Sequence, residues 1–274
     1  MGEFNVDSSI PERFLKYDLT VSDPKETGLR LYTLTSKETG VMGTFAEFNP
    51  DFDVHAGIAY VGARTSRSEL TYPEIFAEIY SAIQAGTYTA GKKLSDIFVG
   101  FGHASVADMA PVMLFFNNLP MHVPFRVFNE MSVGAGQELS TRYVKLSDMG
   151  VPSVTRLFDG FPSPESTVEA QEKWEALQLE MVANFNKWFV RLQPALGEYL
   201  DETYEGEVKP STLTTRALDV ARMWIPAGAK TSQTVLASAR QWVDMAGQLR
   251  SSGDNESVQV GNLIVDLLHL SEHP

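Results

Sequence analysis

The run Gln137-Glu138-Leu139-Ser140-Thr141-Arg142-Tyr143 sets a carboxylate, a hydroxyl and a guanidinium at alternate positions. If the chain is extended there, Glu138, Ser140 and Arg142 share one face, because side chains alternate across a strand. Those groups together can read the polar edge of a ring and clamp a phosphate. A solvated, salt-bridged strand edge has the same pattern. A second cluster, Gly102-His103-Ala104-Ser105, combines small residues with a histidine and a hydroxyl. Small residues at a strand-to-helix turn let a ligand approach the backbone closely. Three arginines recur further on: Arg222 ahead of Pro226, Arg240 four residues before Asp244, and Arg250. Cations near helix C-termini complement the helix dipole, and Arg240 with Asp244 fits a surface pair one turn apart.

Other chemistries find less support. Gly100-x-Gly102-x-x-Ser105 lacks the third glycine of a dinucleotide fingerprint, and no βαβ unit is predicted around it, which weakens a nicotinamide dehydrogenase reading. There are no cysteines, so disulfides, thiolate metal sites and cysteine nucleophiles are all excluded. Of the five histidines only His269 and His273 lie four apart, next to Pro274 where fraying is expected, so no metal site is predicted. Neither a G-x-S-x-G elbow nor a G-x-x-x-x-G-K-[ST] loop occurs.

These residues need elements to hold them. Leu29–Leu34 and Val41–Phe48 alternate and predict strands, and Ala56–Val61 is a short apolar run read as another. Thr71-Tyr72-Pro73-Glu74 opens a helix through Ile75, Ile79 and Ile83 that ends near Gly86. Ser95–Val99 leads into the glycine turn, a helix is predicted over Ala104–Phe116, and Met121–Val133 has an extended bias. Residues Pro152–Pro164 read as loop, with Ser163 and Pro164 starting a helix. Trp174, Leu177, Met181, Phe185, Trp188 and Leu192 then recur with helical spacing as far as Pro194. Helices follow over Thr212–Ile225, Ser232–Leu249 and Glu256–Leu268. Strands first and helices after predict an α+β fold with a helical C-terminal half.

The chain has 274 residues, enough for a substantial core, and is expected to form a single domain over 1–274. Its net charge of −13 argues against nucleic acid as a partner. A local arginine cluster can still attract a small anion. Asn117, Asn118, Pro120, His122 and Arg126 interrupt the longest apolar stretch, Met109–Phe128, so no membrane span is predicted. Met1–Phe14 has no apolar region of the kind a signal peptide needs, and a cytoplasmic location is expected.

Taken in order, the clusters resemble the flavin-dependent thymidylate synthases. Ala63-Arg64-Thr65-Ser66 is similar to the family's A-R-x-S, and Gly102-His103-Ala104-Ser105-Val106-Ala107-Asp108 to G-H-x-S/T-x-x-E. Gln137–Tyr143 is similar to N-E-x-S-x-R-Y, and Ala221–Pro226 to A-R-x-x-L-P. Ala239-Arg240 and Leu249-Arg250 resemble N-A-R and the L-R after it. The likeness runs from about residue 60 onwards and touches residues 1–55 little. Glu130-Met131-Ser132 stands where the family has R-H-R, Ala135 stands for its serine, and Gln137 for its asparagine. Asp108 and Ser238 likewise replace a glutamate and an asparagine, and the later H-A-Q-x-E segment is lost near Asp254-Asn255-Glu256.

The resemblance implies a flavin-dependent thymidylate synthase-like fold, with a mixed β-sheet and packed helices. It implies a flavoprotein methyltransferase of nucleotide biosynthesis acting at C5 of UMP, dUMP or both. FAD is the implied cofactor, with NADPH and methylenetetrahydrofolate as co-substrates. Arg142 and Arg222 are implied for the nucleotide phosphate, Glu138, Ser140 and Thr141 for the nucleotide site, and Arg250 for orienting the uracil. Arg250 and Glu138 are the implied catalytic pair. Ser66, His103, Ser105, Ser132, Gln137, Glu138, Arg240 and Asp244 are implied around the flavin, with His103 also near the folate. The family is homotetrameric with shared active sites, which is carried over as an expectation. The altered signature resembles specialised members that methylate pyrimidine nucleotides in nucleoside-antibiotic pathways. It also suits a catalytically degenerate nucleotide- or flavin-binding paralogue. The absence of cysteine is consistent with the flavin route, which needs no thiolate to add to the pyrimidine ring.

Overall fold

Alternating apolar residues build the centre of the protein. In Pro111–Pro120, Val112, Leu114 and Phe116 are buried while their neighbours are less so, the mark of a strand with one face on a core. This is β4 of a six-stranded sheet. The others are β1 (Tyr17–Val21), β2 (Arg30–Ser36), β3 (Met42–Glu47), β5 (Gly134–Glu138) and β6 (Lys230–Ser238). The helices are α1 (Val54–Thr65), α2 (Tyr72–Gln84), α3 (His122–Glu130), α4 (Pro164–Thr203), α5 (Pro210–Ala221), α6 (Ala239–Arg250) and α7 (Asn255–Leu270). The computed structural model describes residues 12–22, 30–47, 54–65, 68–87, 104–130, 134–140, 164–203 and 209–270.

The strand order is β1-β2-β3-β4-β6-β5, and every pair is antiparallel. The expected mixed sheet is therefore corrected to an antiparallel one. Such a sheet can bury one face and leave the other wet. Here the buried face carries Tyr32, Leu34, Phe45, Leu114, Phe116, Val235 and Ala237, packed under α3, α6 and α7. Close approach is built in at Gly43, where an added Cβ would lie 2.6 Å from Leu267 Cδ1 of α7. Trp242 of α6 is wholly buried, lies 6.0 Å from the Phe116 ring, and donates its indole N–H to the Val112 carbonyl at 3.0 Å. On the opposite face Thr33 and Thr44 share a hydrogen bond of 2.9 Å.

Two smaller apolar clusters flank this body. Phe185 and Phe189 of α4 stack at 6.1 Å and pack on Ala217, Leu218 and Ala221 of α5. Met121, Leu139 and Ile225 join that cluster from the main body. Val61 of α1 packs on Ile75 and Ile79 of α2.

Several sequence expectations change. Ala56–Val61 lies in α1, since a short apolar run without alternation suits a buried helix as well as a strand. The helix expected over Ala104–Phe116 is a 3-10 turn, Ala104–Met109, followed by β4. Met121–Val133, read as extended, holds α3. The helix expected over Ser232–Leu249 is β6 as far as Ser238 and α6 beyond it. Ser238 makes the switch, accepting the Gln241 N–H at 3.2 Å as a helix N-cap. The C-terminal half is thus helical except for β6, which lies between β4 and the edge strand β5. Residues 1–55, the least matched by resemblance, supply β1 to β3. The helices expected from Thr71–Glu74 and over Glu256–Leu268, and the strands expected over Leu29–Leu34 and Val41–Phe48, correspond to α2, α7, β2 and β3 with slightly shifted ends, while Ser95–Val99 and 151–163 lie outside the described residues.

Candidate functional site

The β5 edge of the sheet brings the first site residue into place. Glu138 pairs with Gln233 of β6, and Gly136 with Val235, so Glu138 stands on the face covered by α3. Gly136 is small for a reason: a Cβ there would lie 2.8 Å from Phe128 Cε1 of α3 and 2.7 Å from the Thr234 carbonyl oxygen. The bare strand lets α3 approach, and Glu138 emerges just beyond it. Although the residue as a whole is exposed, its carboxyl head reaches the buried Thr231, whose hydroxyl donates to Oε1 at 3.5 Å. Burial of the head raises its pKa above the usual carboxylate range, and the Thr231 bond works against that rise. Ser140 follows in a half-buried position, and Gln137 points to the other side of the strand, exposed. Thr141 and Arg142 lie outside the described residues, as do Ser66, His103 and Ser132.

A second group forms where the 3-10 turn meets α6. Arg240 Nη1 donates to Asp108 Oδ2 at 3.0 Å across 132 positions of sequence. The Ala239 N–H also bonds the Ala110 carbonyl at 2.8 Å. Among the described residues Arg240 is paired with Asp108 rather than with Asp244, which is exposed on the next turn. Ser105, on the same 3-10 turn as Asp108, is exposed. Arg64 is spent within the fold, donating to Glu78 of α2 at 2.7 Å.

Arg222 begins the 3-10 turn after α5 and lies 3.5 Å from Asp219. Arg250 ends α6, exposed, and its stem runs over Gly261 of α7. A Cβ on Gly261 would meet Arg250 Cγ at 2.8 Å and the Ala246 carbonyl oxygen at 2.9 Å. The α6–α7 contact thus fixes where Arg250 leaves the helix. All three arginines present their guanidinium ends at the surface of a chain with net charge −13. Such cations suit anionic or ring-oxygen ligands. Ser105 and Gln137 add exposed polar side chains, able to hydrogen-bond a phosphate or the polar edge of a ring.

Sequence reading missed two sets. Thr231 and Gln233 lay hidden because their strand was read as the start of a helix, although Thr231, Thr234 and Val235 are β-branched. The other set joins the starts of α3 and α7. His122 Nε2 lies 3.2 Å from Glu256 Oε2 and 3.5 Å from Asp254 Oδ1. These three are the described residues whose ligand atoms converge closely enough to hold a cation. Both oxygens of Asp254 are already engaged: Oδ1 accepts the Ser257 N–H at 2.7 Å, and Oδ2 faces Arg126 Nη1 at 3.0 Å. The group is therefore a helix cap with ion pairs, tying α3 to α7. Its residues come from two segments 132 positions apart, which no local motif could have revealed.

No helix among the described residues is long and apolar enough to cross a membrane. No curated protein matches the chain. The family model described as thymidylate synthase complementing protein matches residues 56–269, taking in the 3-10 turn, α6 and every strand from β4 to β6. By that match the chain belongs to the thymidylate synthase complementing proteins, the flavin-dependent thymidylate synthase family.

Proposed function

We propose that this protein is a single-domain, FAD-dependent methyltransferase that methylates C5 of UMP, dUMP or both. Methylenetetrahydrofolate is the carbon donor and NADPH the reductant. The observation that carries the reading is the Arg240–Asp108 pair, which joins two family-like segments far apart in sequence. Chemically, the methylene carbon bonds to uracil C5 while its bonds to the folate nitrogens break, the C5 proton leaves, a hydride completes the methyl group, and tetrahydrofolate is released. Reduced FAD supplies that hydride when bound, so the protein's own residues have to bind and orient.

In this reading Arg222 and Arg142 hold the nucleotide phosphate, and Glu138, Ser140 and Thr141 line the nucleotide. Arg250 orients the uracil, and with Glu138 forms the catalytic pair. Ser66, His103, Ser105, Ser132, Gln137, Arg240 and Asp244 surround the flavin, with His103 near the folate. The exposed Leu177, Leu179 and Val190 of α4 suit contact with further copies in a homotetramer. A cytoplasmic location fits these substrates. Glu130-Met131-Ser132 puts a carboxylate, a thioether and a hydroxyl where the family has R-H-R, and a carboxylate or a hydroxyl can hydrogen-bond a ribose 2′-hydroxyl. That replacement motivates UMP as a substrate and a role in nucleoside-antibiotic biosynthesis.

The same replacement supports a second reading, a non-catalytic nucleotide- or flavin-binding paralogue, because Glu130 puts an anion where the family has a cation. Purified protein incubated with FAD should retain flavin absorbance through gel filtration. It should then convert UMP and dUMP, offered together with NADPH and methylenetetrahydrofolate, to their 5-methyl products. Absence of retained flavin, with nucleotide present, would favour the paralogue. Thymidylate as the only product would remove UMP and leave the methyltransferase.

A further inference from the structure

The buried face of β6 is apolar at Val235 and Ala237, then turns polar at Gln233 and Thr231. Gln233 is 2% exposed and Thr231 1%. The Gln233 Nε2 donates to the Pro124 carbonyl of α3 at 3.3 Å, while its Oε1 is buried with no hydrogen bond among the described residues. A buried acceptor left in that state is destabilising, because it has given up its bond to water. An apolar pair here would continue the core without that cost, so stability does not explain the polar pair.

The neighbouring strands mark the same place. On one side β4 shifts register between Phe116, opposite Gln233, and Leu119, opposite Thr231. The extra residue is accommodated by Asn118 at a φ of 60°, whose amide donates to the Gly40 carbonyl at 2.9 Å. Bulges of this kind bend a strand and re-aim its side chains. On the other side β5 ends with Glu138 opposite Gln233, and the Leu139 N–H bonds the Ser232 carbonyl at 2.8 Å. The polar pair is therefore flanked by a bulge and by the strand end that carries Glu138.

We infer that Thr231, braced by Gln233, is a positioning residue for the Glu138 carboxylate. Its hydroxyl is the donor that turns the carboxylate toward the sheet and favours its ionised form. Gln233 ties the strand beneath it to α3 through Pro124. The inference rests on the assignment of Glu138 to the nucleotide site, and it acts through Glu138 rather than by touching the nucleotide.

The test is a pH titration of the full-length protein carrying 13C-carboxyl glutamate, with the Glu138 signal identified by its loss in Glu138→Gln. Thr231→Val should raise the Glu138 midpoint by roughly 0.5–1 pH, the scale of one modest hydrogen bond. Thr231→Ser should restore it, and Thr231→Ala replaces the valine variant if that variant does not fold. Binding of dUMP and UMP, followed by calorimetry near the midpoint, should weaken in Thr231→Val and recover in Thr231→Ser. It should be insensitive to Thr231→Val once Glu138 is already glutamine. An unchanged midpoint in the valine or alanine variant would overturn the inference. A shifted midpoint with nucleotide binding unaffected by Glu138→Gln would instead overturn the placing of Glu138 at the nucleotide, while upholding its contact with Thr231.

Discussion

The two sides of this protein are packed to different standards. Under the sheet, α6 and α7 bury Trp242, Met245, Leu249, Leu263, Ile264 and Leu267 almost completely, and α7 comes close enough to β3 to need Gly43. The α4–α5 layer has a core of a few side chains around Phe185 and leaves Leu179 60% and Val190 68% exposed. The family-like residues are divided between these regions. Glu138, Arg240 and Arg250 stand on the well-packed body, and Arg222 hangs from the end of α5. A site built across both needs the weaker layer seated on the stronger body.

Trp242→Ala should show the largest effect. It removes a wholly buried indole, its contact with Phe116 and its bond to Val112, and should cost about 3–5 kcal/mol in denaturant unfolding. Loss should be global, with amide protection falling in β4, β6, α6 and α7 together. Phe185→Ala should cost about 3 kcal/mol, at the low end for such a truncation because its layer is partly open and can relax. Here protection should fall in α4 and α5 first. Uniform loss across the molecule would erase the distinction between the two regions.

Arg222→Ala tests whether the weaker layer carries part of the site. In the proposed reading it should weaken nucleotide binding by roughly 1.5–3 kcal/mol, the scale of a charged hydrogen bond, with the melting temperature little changed. Unaltered affinity would confine the nucleotide site to the main body. Gly261→Ala should cost about 1–3 kcal/mol of stability, since the new methyl meets the Ala246 carbonyl and the Arg250 backbone rather than flexible side-chain ends alone. It should also lower nucleotide affinity by displacing Arg250, which a purely structural glycine would not do.

How legible this was in sequence depended on the range of the interaction. The Ile75–Ile79–Ile83 spacing and the α7 pattern gave their helices because one face of a helix is a local property. β4 and β6 were misread because each leads directly into a helix and carries apolar residues that suit either state. What decides between them is their antiparallel pairing with each other, across more than 100 positions of sequence. The site divided the same way. Glu138 stood out within a short motif, and Arg240 within another, yet nothing local joined Arg240 to Asp108. Thr231 and Gln233 became visible only once their strand was seen beside Glu138.

The smallest effect concerns the clasp between α3 and α7, which lies on the well-packed side but near its surface. Burial works to raise the Asp254 pKa, but the Ser257 N–H, then Arg126 and His122, outweigh it and hold the carboxyl below its ordinary range. Glu256 beside it is pushed the other way by burial, so it takes up a proton first as pH falls. A carboxyl with a lowered folded pKa contributes stability above its unfolded value, about 3.9, and loses it as pH falls through the folded value. Asp254→Asn keeps an oxygen for the helix cap and removes the charge. The exposed character of the pair with Arg126 limits the loss to about 0.2–1 kcal/mol at neutral pH. Melting curves of the two proteins should therefore differ near pH 7 and converge in acid. A difference that persists below the folded pKa would mean that Asp254 acts through the cap geometry, and that the ion pairs binding α3 to α7 add nothing to the stronger side of the molecule.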